Sequence, residues 1–193
     1  MISSLKAKRP LVHAITNYVT MDWVARGLLA AGARPVMARD ISEAAVMPSD
    51  ALVLNLGTWS PALHEAMLAA GRGANARGIP VVLDPVGAGG LETRTRAALE
   101  ILEAVRVTAV RGNAGEIAAL AGMSGAGVRG VDSVGGAPGA AAALARRFGC
   151  LVAATGASDL VTDGDRTLEV KAGHPLLAQI PGSGCLASAL IAA

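Results

Sequence analysis

Short runs of continuous apolar residues alternate along this chain with longer segments whose apolar positions recur at helical spacing. Residues 11–15, 35–38, 51–56, 80–83, 107–110 and 150–154 read as strands. Residues 20–31 read as a helix that Gly32 stops as a C-terminal glycine. Ser60-Pro61 opens a second helix, with Ser as cap and Pro at the first helical position, running to about residue 77. Further helices are expected over 91–105, from Asn113 to about residue 121, and over 137–148. Residues 122–136 are rich in Gly and polar side chains and read as a loop, as do 172–182. Between 160–162 and 167–170 lies Asp163-Gly164-Asp165-Arg166, a hairpin signal.

Strands apolar along their whole length are buried on both faces, and their alternation with helices predicts a mostly parallel sheet covered on both sides. Ligands in such sheets sit beyond the carboxyl ends of the strands. Those ends carry Thr16-Asn17, Met37, Asn55-Leu56-Gly57-Thr58, Asp84-Pro85, Arg111-Gly112-Asn113 and Thr155-Gly156. Polar residues recur where the fold predicts a crevice.

Pro181-Gly182-Ser183-Gly184-Cys185 reads as a glycine-rich turn running into a last helix. The first backbone N–H groups of a helix lack internal partners, and the helix dipole adds positive charge there. Gly182, Ser183, Gly184 and Cys185 therefore make a candidate anion site, with phosphate the usual guest. The same turn also suits a tight connection with a small apolar Cys packed inward. Asp84 could help hold Mg²⁺, which takes oxygen ligands and keeps several waters, or could simply close a turn before Pro85. Arg111 could stabilise a transferring phosphoryl group or sit in a surface ion pair. Asn113 and Glu116 are spaced to share one side of a helix start, and also match a reciprocal cap. The Thr155 hydroxyl could meet a phosphate, and Met37 could line an apolar pocket or the core. His13, His64 and His174 have no partner at metal-ligand spacing. Cys185 has no local base, which argues against a Cys–His hydrolase.

Composition narrows the class. With 193 residues, 52% hydrophobic, the chain suits one domain with a real core. Aromatics are 2%, so that core must be built from Ala, Val, Leu and Ile. The net charge of +2 is scattered, unlike a nucleic-acid footprint. No apolar run reaches the ~18 residues that would span a bilayer. Cys150 and Cys185 give neither a disulfide framework nor zinc spacing, and a reducing cytoplasm is the simplest compartment.

Several segments together resemble a known family. They are residues 10–19 (Pro10 to Val19, PLVHAITNYV), Asn55-Leu56-Gly57-Thr58, residues 83–89 (LDPVGAG), residues 111–117 (RGNAGEI) and Val131-Asp132-Ser133. Ala154-Thr155-Gly156, Val161-Thr162-Asp163-Gly164, Gly173-His174-Pro175-Leu176 and the GSGC turn complete the set. The chain resembles hydroxyethylthiazole kinases of the ribokinase-like superfamily. That resemblance implies a three-layer α/β/α sandwich and an ATP- and Mg²⁺-dependent kinase. Its substrate would be the alcohol of 4-methyl-5-(2-hydroxyethyl)thiazole, in thiamine biosynthesis and salvage. It implies that Asn17, Val19, Met37 and Gly182 contact the thiazole, that Arg111 and Thr155 contact ATP phosphates, and that Asp84 and Glu116 serve Mg²⁺. Cys185 takes the position where sugar kinases of the superfamily carry an Asp base. The family forms trimers with substrate sites at subunit interfaces.

Three features depart from the family pattern: Ala14 stands where an Asn follows the His, Gly115 replaces a Ser before Glu116, and the chain stops at Ala193. Family members continue with further helices that cover the sheet and help enclose adenine. Residues 1–193 are therefore expected to form a single kinase domain short of its C-terminal helices. Competing expectations are a related kinase for hydroxymethylpyrimidine or pyridoxal, and a shortened, non-catalytic thiazole-binding module. A dehydrogenase is disfavoured because no GxGxxG follows the first strand.

Overall fold

The computed structural model describes residues 2–123 and 137–193. Most of the expected loop at 122–136, with the Val131-Asp132-Ser133 segment, lies outside them. Eight strands form one sheet in the order β2-β1-β3-β4-β5-β6-β7-β8. They are β1 (Leu11–Ile15), β2 (Arg34–Val36), β3 (Ala51–Asn55), β4 (Val81–Asp84), β5 (Ala109–Asn113), β6 (Leu151–Thr155), β7 (Asp159–Thr162) and β8 (Thr167–Val170). The first six are parallel; β7 and β8 add an antiparallel hairpin at the far edge. The mostly parallel sheet and the hairpin are as expected from the sequence.

Two layers of helix cover the sheet. Helices α4 (Pro61–Ala76), α5 (Glu92–Ala104), α6 (Ala114–Leu120) and α7 (Ala137–Phe148) pack over one face. Their apolar stripe explains why: in α4, Leu63, Ala66, Met67, Ala70 and Ala74 recur every three or four residues and are all buried. They meet Leu52 and Leu54 of β3 and Leu83 of β4 in the larger core cluster. Helices α2 (Met21–Ala31) and α8 (Ser183–Ala192) cover the other face over β1, β3 and β4. There Val24, Leu28 and Ala189 meet Val12, Ala14 and Val53. Alternate residues of one strand thus serve opposite layers, as the pleat requires.

Four details were not expected from the pattern. Residues 2–8 form a short helix, α1 (Ile2–Lys8), against α2. A one-turn α3 (Ile41–Ala44) starts where the Asp40 side chain accepts the Ser42 N–H. The loop at 172–182 contains a 3₁₀ helix, Pro175–Gln179, which His174 caps through Nδ1. Finally, β2 ends at Val36, so Met37 follows the strand rather than lying in it. The three short helices are too short to show a hydrophobic period, so pattern reading had no signal for them, whereas β2 was expected and differs only in its bounds.

The strand order reverses between β1 and β3. From β1 the chain moves to one edge through β2, then returns to β3 and builds toward the other edge. This switch point opens a crevice at the carboxyl ends of β1 and β3, the usual ligand site in such sheets.

Close packing makes one helical glycine testable. A Cβ on Gly73, inside α4, would drive into the backbone carbonyl oxygen of Ala45, which no rotamer change can relieve. Gly→Ala within a helix ordinarily stabilises by about 1 kcal/mol. Here Gly73→Ala is expected to destabilise by about 1–3 kcal/mol instead, read as a lower urea midpoint at unchanged slope.

Candidate active site

The site is built from strand ends. Thr16 and Asn17 leave β1, Asn55 closes β3, and Asp84 closes β4; all four are buried in spite of their polarity. A buried polar group must find a partner, and here the partners are one another. Asn17 Nδ2 donates to Asn55 Oδ1 at 3.0 Å. Asn55 Nδ2 donates to Asp84 Oδ2 at 2.9 Å. The Ser188 hydroxyl of α8 donates to the same Asp84 oxygen at 2.8 Å. Asn17 Oδ1 accepts from the N–H and hydroxyl of Thr20, each at 3.1 Å.

Asn17 Nδ2 also donates to Cys185 Sγ at 3.4 Å, on the first turn of α8. Cys185 and Ser188 are one helical turn apart. The chain of side chains therefore leaves α8 at Cys185, crosses β1, β3 and β4, and returns to α8 at Ser188. Met37 and Cys185 pack against the same small core cluster on the α2/α8 side. Val19, by contrast, is 79% exposed, and the neighbouring Tyr18 is 70% exposed under the guanidinium of Arg39.

The glycine turn adopts the conformation its composition suggests. Gly182 caps α8 at φ +86°, in the left-handed region that glycine enters freely. The Ser183 N–H is spent on the Ile180 carbonyl at 3.2 Å, and the Ser183 hydroxyl on the Leu177 carbonyl at 2.9 Å. The first intrahelical bond is Leu186 N–H to Gly182 O. Gly184 and Cys185 follow in the first turn of α8, where backbone N–H groups have no intrahelical partner. Arg111 comes from β5 directly onto this turn; a Cβ on Gly184 would collide with its guanidinium. Arg111 also donates to the Thr155 hydroxyl, while its buried Nε finds no partner among the described residues. A guanidinium over free helix N-terminal N–H groups, with one buried donor unspent, is built to receive an anion.

Asp84 and Glu116 lie beside it. Burial pushes Asp84 up to about 6. The Arg111 charge and the Ser188 and Asn55 hydrogen bonds pull the other way, and the like charge of Glu116 adds to the rise. Glu116 closes the expected reciprocal cap: Asn113 Oδ1 accepts the Glu116 N–H and Glu116 Oε2 accepts the Asn113 N–H, each at 2.9 Å. Its other oxygen accepts the Gly87 N–H at 2.9 Å. No cluster of three or more His, Cys, Asp or Glu suited to a metal exists among the described residues. Two carboxylates that repel one another, beside an anion-receiving turn, nonetheless fit a Mg²⁺ that takes most of its ligands from phosphate and water.

A groove of about 930 Å³ runs from Arg111, Asn113 and Thr155 past Asp159 to His174 and Ser183. Arg111 links the groups: it lies against Gly184 of the turn, donates to Thr155 and acts with Glu116 on the charge of Asp84. Cys185, on the same turn, is in contact with Asn17.

Residues 2–193 match the hydroxyethylthiazole kinase family. The chain belongs to the hydroxyethylthiazole kinase family. It is 53% identical to the hydroxyethylthiazole kinase of Desulforudis audaxviator, covering 100% of this chain and 72% of that protein. It is 74% identical to the thiamine biosynthesis bifunctional protein ThiM/ThiE of Symbiobacterium thermophilum, over 98% of this chain and 41% of that longer protein. The structure of the hydroxyethylthiazole kinase protein from Pyrococcus horikoshii superposes with a TM-score of 0.90 at 43% identity, over 99% of this chain and 73% of that one. A ribokinase-like superfamily protein from Enterococcus faecalis, 10% identical at a TM-score of 0.67, shares the fold alone. The fold is therefore the ribokinase-like α/β/α sandwich. No helix among the described residues is long and apolar enough to cross a membrane.

Two members of this hydrogen-bond network were not singled out as site residues. Ser188 is one small residue in an apolar helix, and Asn55 is one amide at the end of an apolar strand, within the Asn55-Leu56-Gly57-Thr58 segment. The sequence signal for Ser188 was its spacing three residues after Cys185, which puts both on one side of α8.

A buried carboxyl that ionises late weakens the fold. In the metal-free protein the Asp84 proton is held up to about pH 6, but in the unfolded chain only to the ordinary 3.8. Its contribution is fully present below pH 3.8 and is lost as pH rises through about 6. Asp84→Asn is therefore expected to match the parent's stability near pH 3.5. At pH 8 it should exceed the parent by about 1–3 kcal/mol while losing turnover. Denaturant melts at the two pH values in chelator check this; equal midpoints at pH 8 would refute it.

Proposed function

We propose that this chain phosphorylates the hydroxyl of 4-methyl-5-(2-hydroxyethyl)thiazole with ATP, in thiamine biosynthesis or salvage. The observation that carries the reading is the convergence of the unspent Arg111 Nε and the free Gly184 and Cys185 N–H groups beside the Asn17–Cys185 contact. That places a charge-accepting cradle next to the Asn17 amide and the Cys185 sulfur. The names borne by relatives at 53% identity favour the thiazole alcohol over a pyrimidine or pyridoxal alcohol.

The chain's own residues divide the work. Asn17, Val19, Met37 and Gly182 hold the thiazole. Arg111, with the Thr155 hydroxyl beside it, binds the ATP phosphates. The N–H groups of the 182–185 turn and the Arg111 guanidinium meet charge as it develops on the phosphoryl group. Cys185 stands at the substrate hydroxyl and, as the thiolate, receives its proton to become the thiol, while the new oxygen–phosphorus bond forms and the bond from the γ-phosphorus to ADP breaks. A loose phosphoryl-transfer transition state needs little deprotonation before attack, so sulfur suffices where sugar kinases use a carboxylate. Asp84 and Glu116 would hold Mg²⁺, whose role is to neutralise phosphate charge.

Residues 1–193 serve in this reading as one kinase domain that works as a homotrimer with interfacial sites. The exposure of Tyr18 and Val19 beside the buried Asn17 supports that, since Val19 reaches a ligand only if something covers it. A cytoplasmic location accords with the two free cysteines.

Purified protein is expected to release ADP from ATP only when the thiazole alcohol and Mg²⁺ are both present. No thiazole-dependent release, with ATP and thiazole both bound in calorimetry, would overturn the catalytic reading in favour of a binding module. Cys185→Ser is expected to lower kcat by about 10- to 100-fold, corresponding to a general-base contribution. Thiazole KM should move less than about threefold, the pattern of an interaction made in the transition state.

A further inference from the structure

Asn55 lies one step behind the thiazole pocket and touches neither Cys185 nor the anion turn. Its amide orientation is nonetheless forced. The Gly57 N–H can only donate, and it meets Asn55 Oδ1 at 3.0 Å. The Asp84 carboxylate accepts from Asn55 Nδ2 at 2.9 Å. Oδ1 therefore faces Asn17 as an acceptor, and takes one Nδ2 hydrogen of Asn17 at 3.0 Å. Both donors of Thr20 occupy Asn17 Oδ1, which prevents the Asn17 amide from flipping. One hydrogen of Asn17 Nδ2 is left, and it points at Cys185 Sγ, 3.4 Å away.

We propose that Asn55 is a positioning residue of this site: with the Thr20 donors fixing which way the Asn17 amide faces, Asn55 Oδ1 holds Asn17 Nδ2 in place and so sets the donor that the thiazole and Cys185 meet. The inference rests on the reading that Asn17 contacts the thiazole. The physical reason is that an amide rotated by half a turn exchanges donor for acceptor with almost no change in shape. A buried network fixes that choice only when every member is satisfied. Asn55 is the member that ties the substrate amide to Asp84. Ser188 anchors the same Asp84 oxygen from α8 without touching Asn17, which makes it the natural control.

Thiazole-alcohol affinity is measured by calorimetry without nucleotide, alongside steady-state kinetics. Asn55→Ala is expected to weaken thiazole binding about 10- to 30-fold, with ATP KM within about twofold; loss of one buried hydrogen-bond partner has this size. Ser188→Ala should leave thiazole affinity within about threefold, since the Ser188 hydroxyl bonds Asp84 and the Gly184 carbonyl but not Asn17. If Asn55 acts through Asn17, Asn55→Ala added to Asn17→Ala weakens binding no further. The paired exchange Asn55→Asp with Asp84→Asn keeps a carboxylate–amide bond and an acceptor facing Asn17. It is expected to restore thiazole affinity to within about threefold while turnover stays lost. This exchange carries the test if Asn55→Ala does not fold.

A folded Asn55→Ala protein with unchanged thiazole affinity, full additivity in the Asn17 background, or no restoration by the exchange would each overturn the positioning role. An Asn17→Ala protein that binds the thiazole normally would instead overturn the reading on which it rests.

Discussion

The structure depends on the need to satisfy a carboxylate that the sheet cannot expose. Asp84 ends a strand flanked on both sides by other strands, and 1% of its surface is accessible. An isolated buried charge is expensive. Asn55, from the neighbouring strand, and Ser188, from the helix above, each give it a hydrogen bond. Those two bonds have a structural consequence beyond Asp84. They tie β3 and α8 to β4 at the level where the strands end, and α8 carries the anion turn. The position of Gly184 and Cys185 over the switch point therefore follows from how Asp84 is solvated.

The same arrangement holds opposing electrostatic demands in balance. Burial and the Glu116 charge favour the neutral acid at Asp84, while Arg111 favours the carboxylate. Arg111 is itself pressed against Gly184, where any side chain would displace it. His13 shows the contrast nearby. Burial holds its imidazole below the ordinary 6.5, with the Ala38 hydrogen bond opposing and the Arg77 charge reinforcing that fall. Its Nε2–H donates to the Ala38 carbonyl at 2.7 Å, since a carbonyl can only accept. His13 is structural: it fastens β1 to the segment that follows Met37. As pH falls below 6.5 that contribution is lost, whereas the Asp84 contribution grows only as pH falls below about 6.

Much of this was legible in the sequence because the relevant residues mark the ends of continuous apolar runs. Asn17, Asp84 and Thr155 stand out as polar residues where a strand stops, Arg111 as the polar residue where the apolar run of β5 ends two residues before the strand does, and topology brings such ends together. The cap at Asn113 and Glu116 was readable from spacing alone, because a helix start has a fixed geometry. Val19 could not be placed in the same way: it is an apolar residue between the buried Asn17 and Thr20, but it is exposed together with Tyr18. The one-turn helix at 41–44 and the 3₁₀ helix were illegible because their stability comes from capping side chains and tertiary contact, not from a period.

Asn55 and Ser188 mark the limit of such reading for a physical reason. A residue that binds a ligand tends to be polar in an exposed or motif-bearing place; one that orients another residue is defined only by three-dimensional partners. Asn55 is a lone amide after four apolar residues, a pattern equally suited to ending a strand. What distinguishes it is that each of its polar atoms is claimed, by Gly57, Asn17 and Asp84. With all its partners specified, the amide has one orientation, and its Oδ1 holds the Asn17 Nδ2 group that Thr20 has already turned toward Cys185. Preorganisation of this kind costs nothing at the moment of reaction, because the dipoles are already aligned. In the proposed reaction, where Cys185 takes the place of a carboxylate beside the substrate hydroxyl, fixed surrounding donors matter the more.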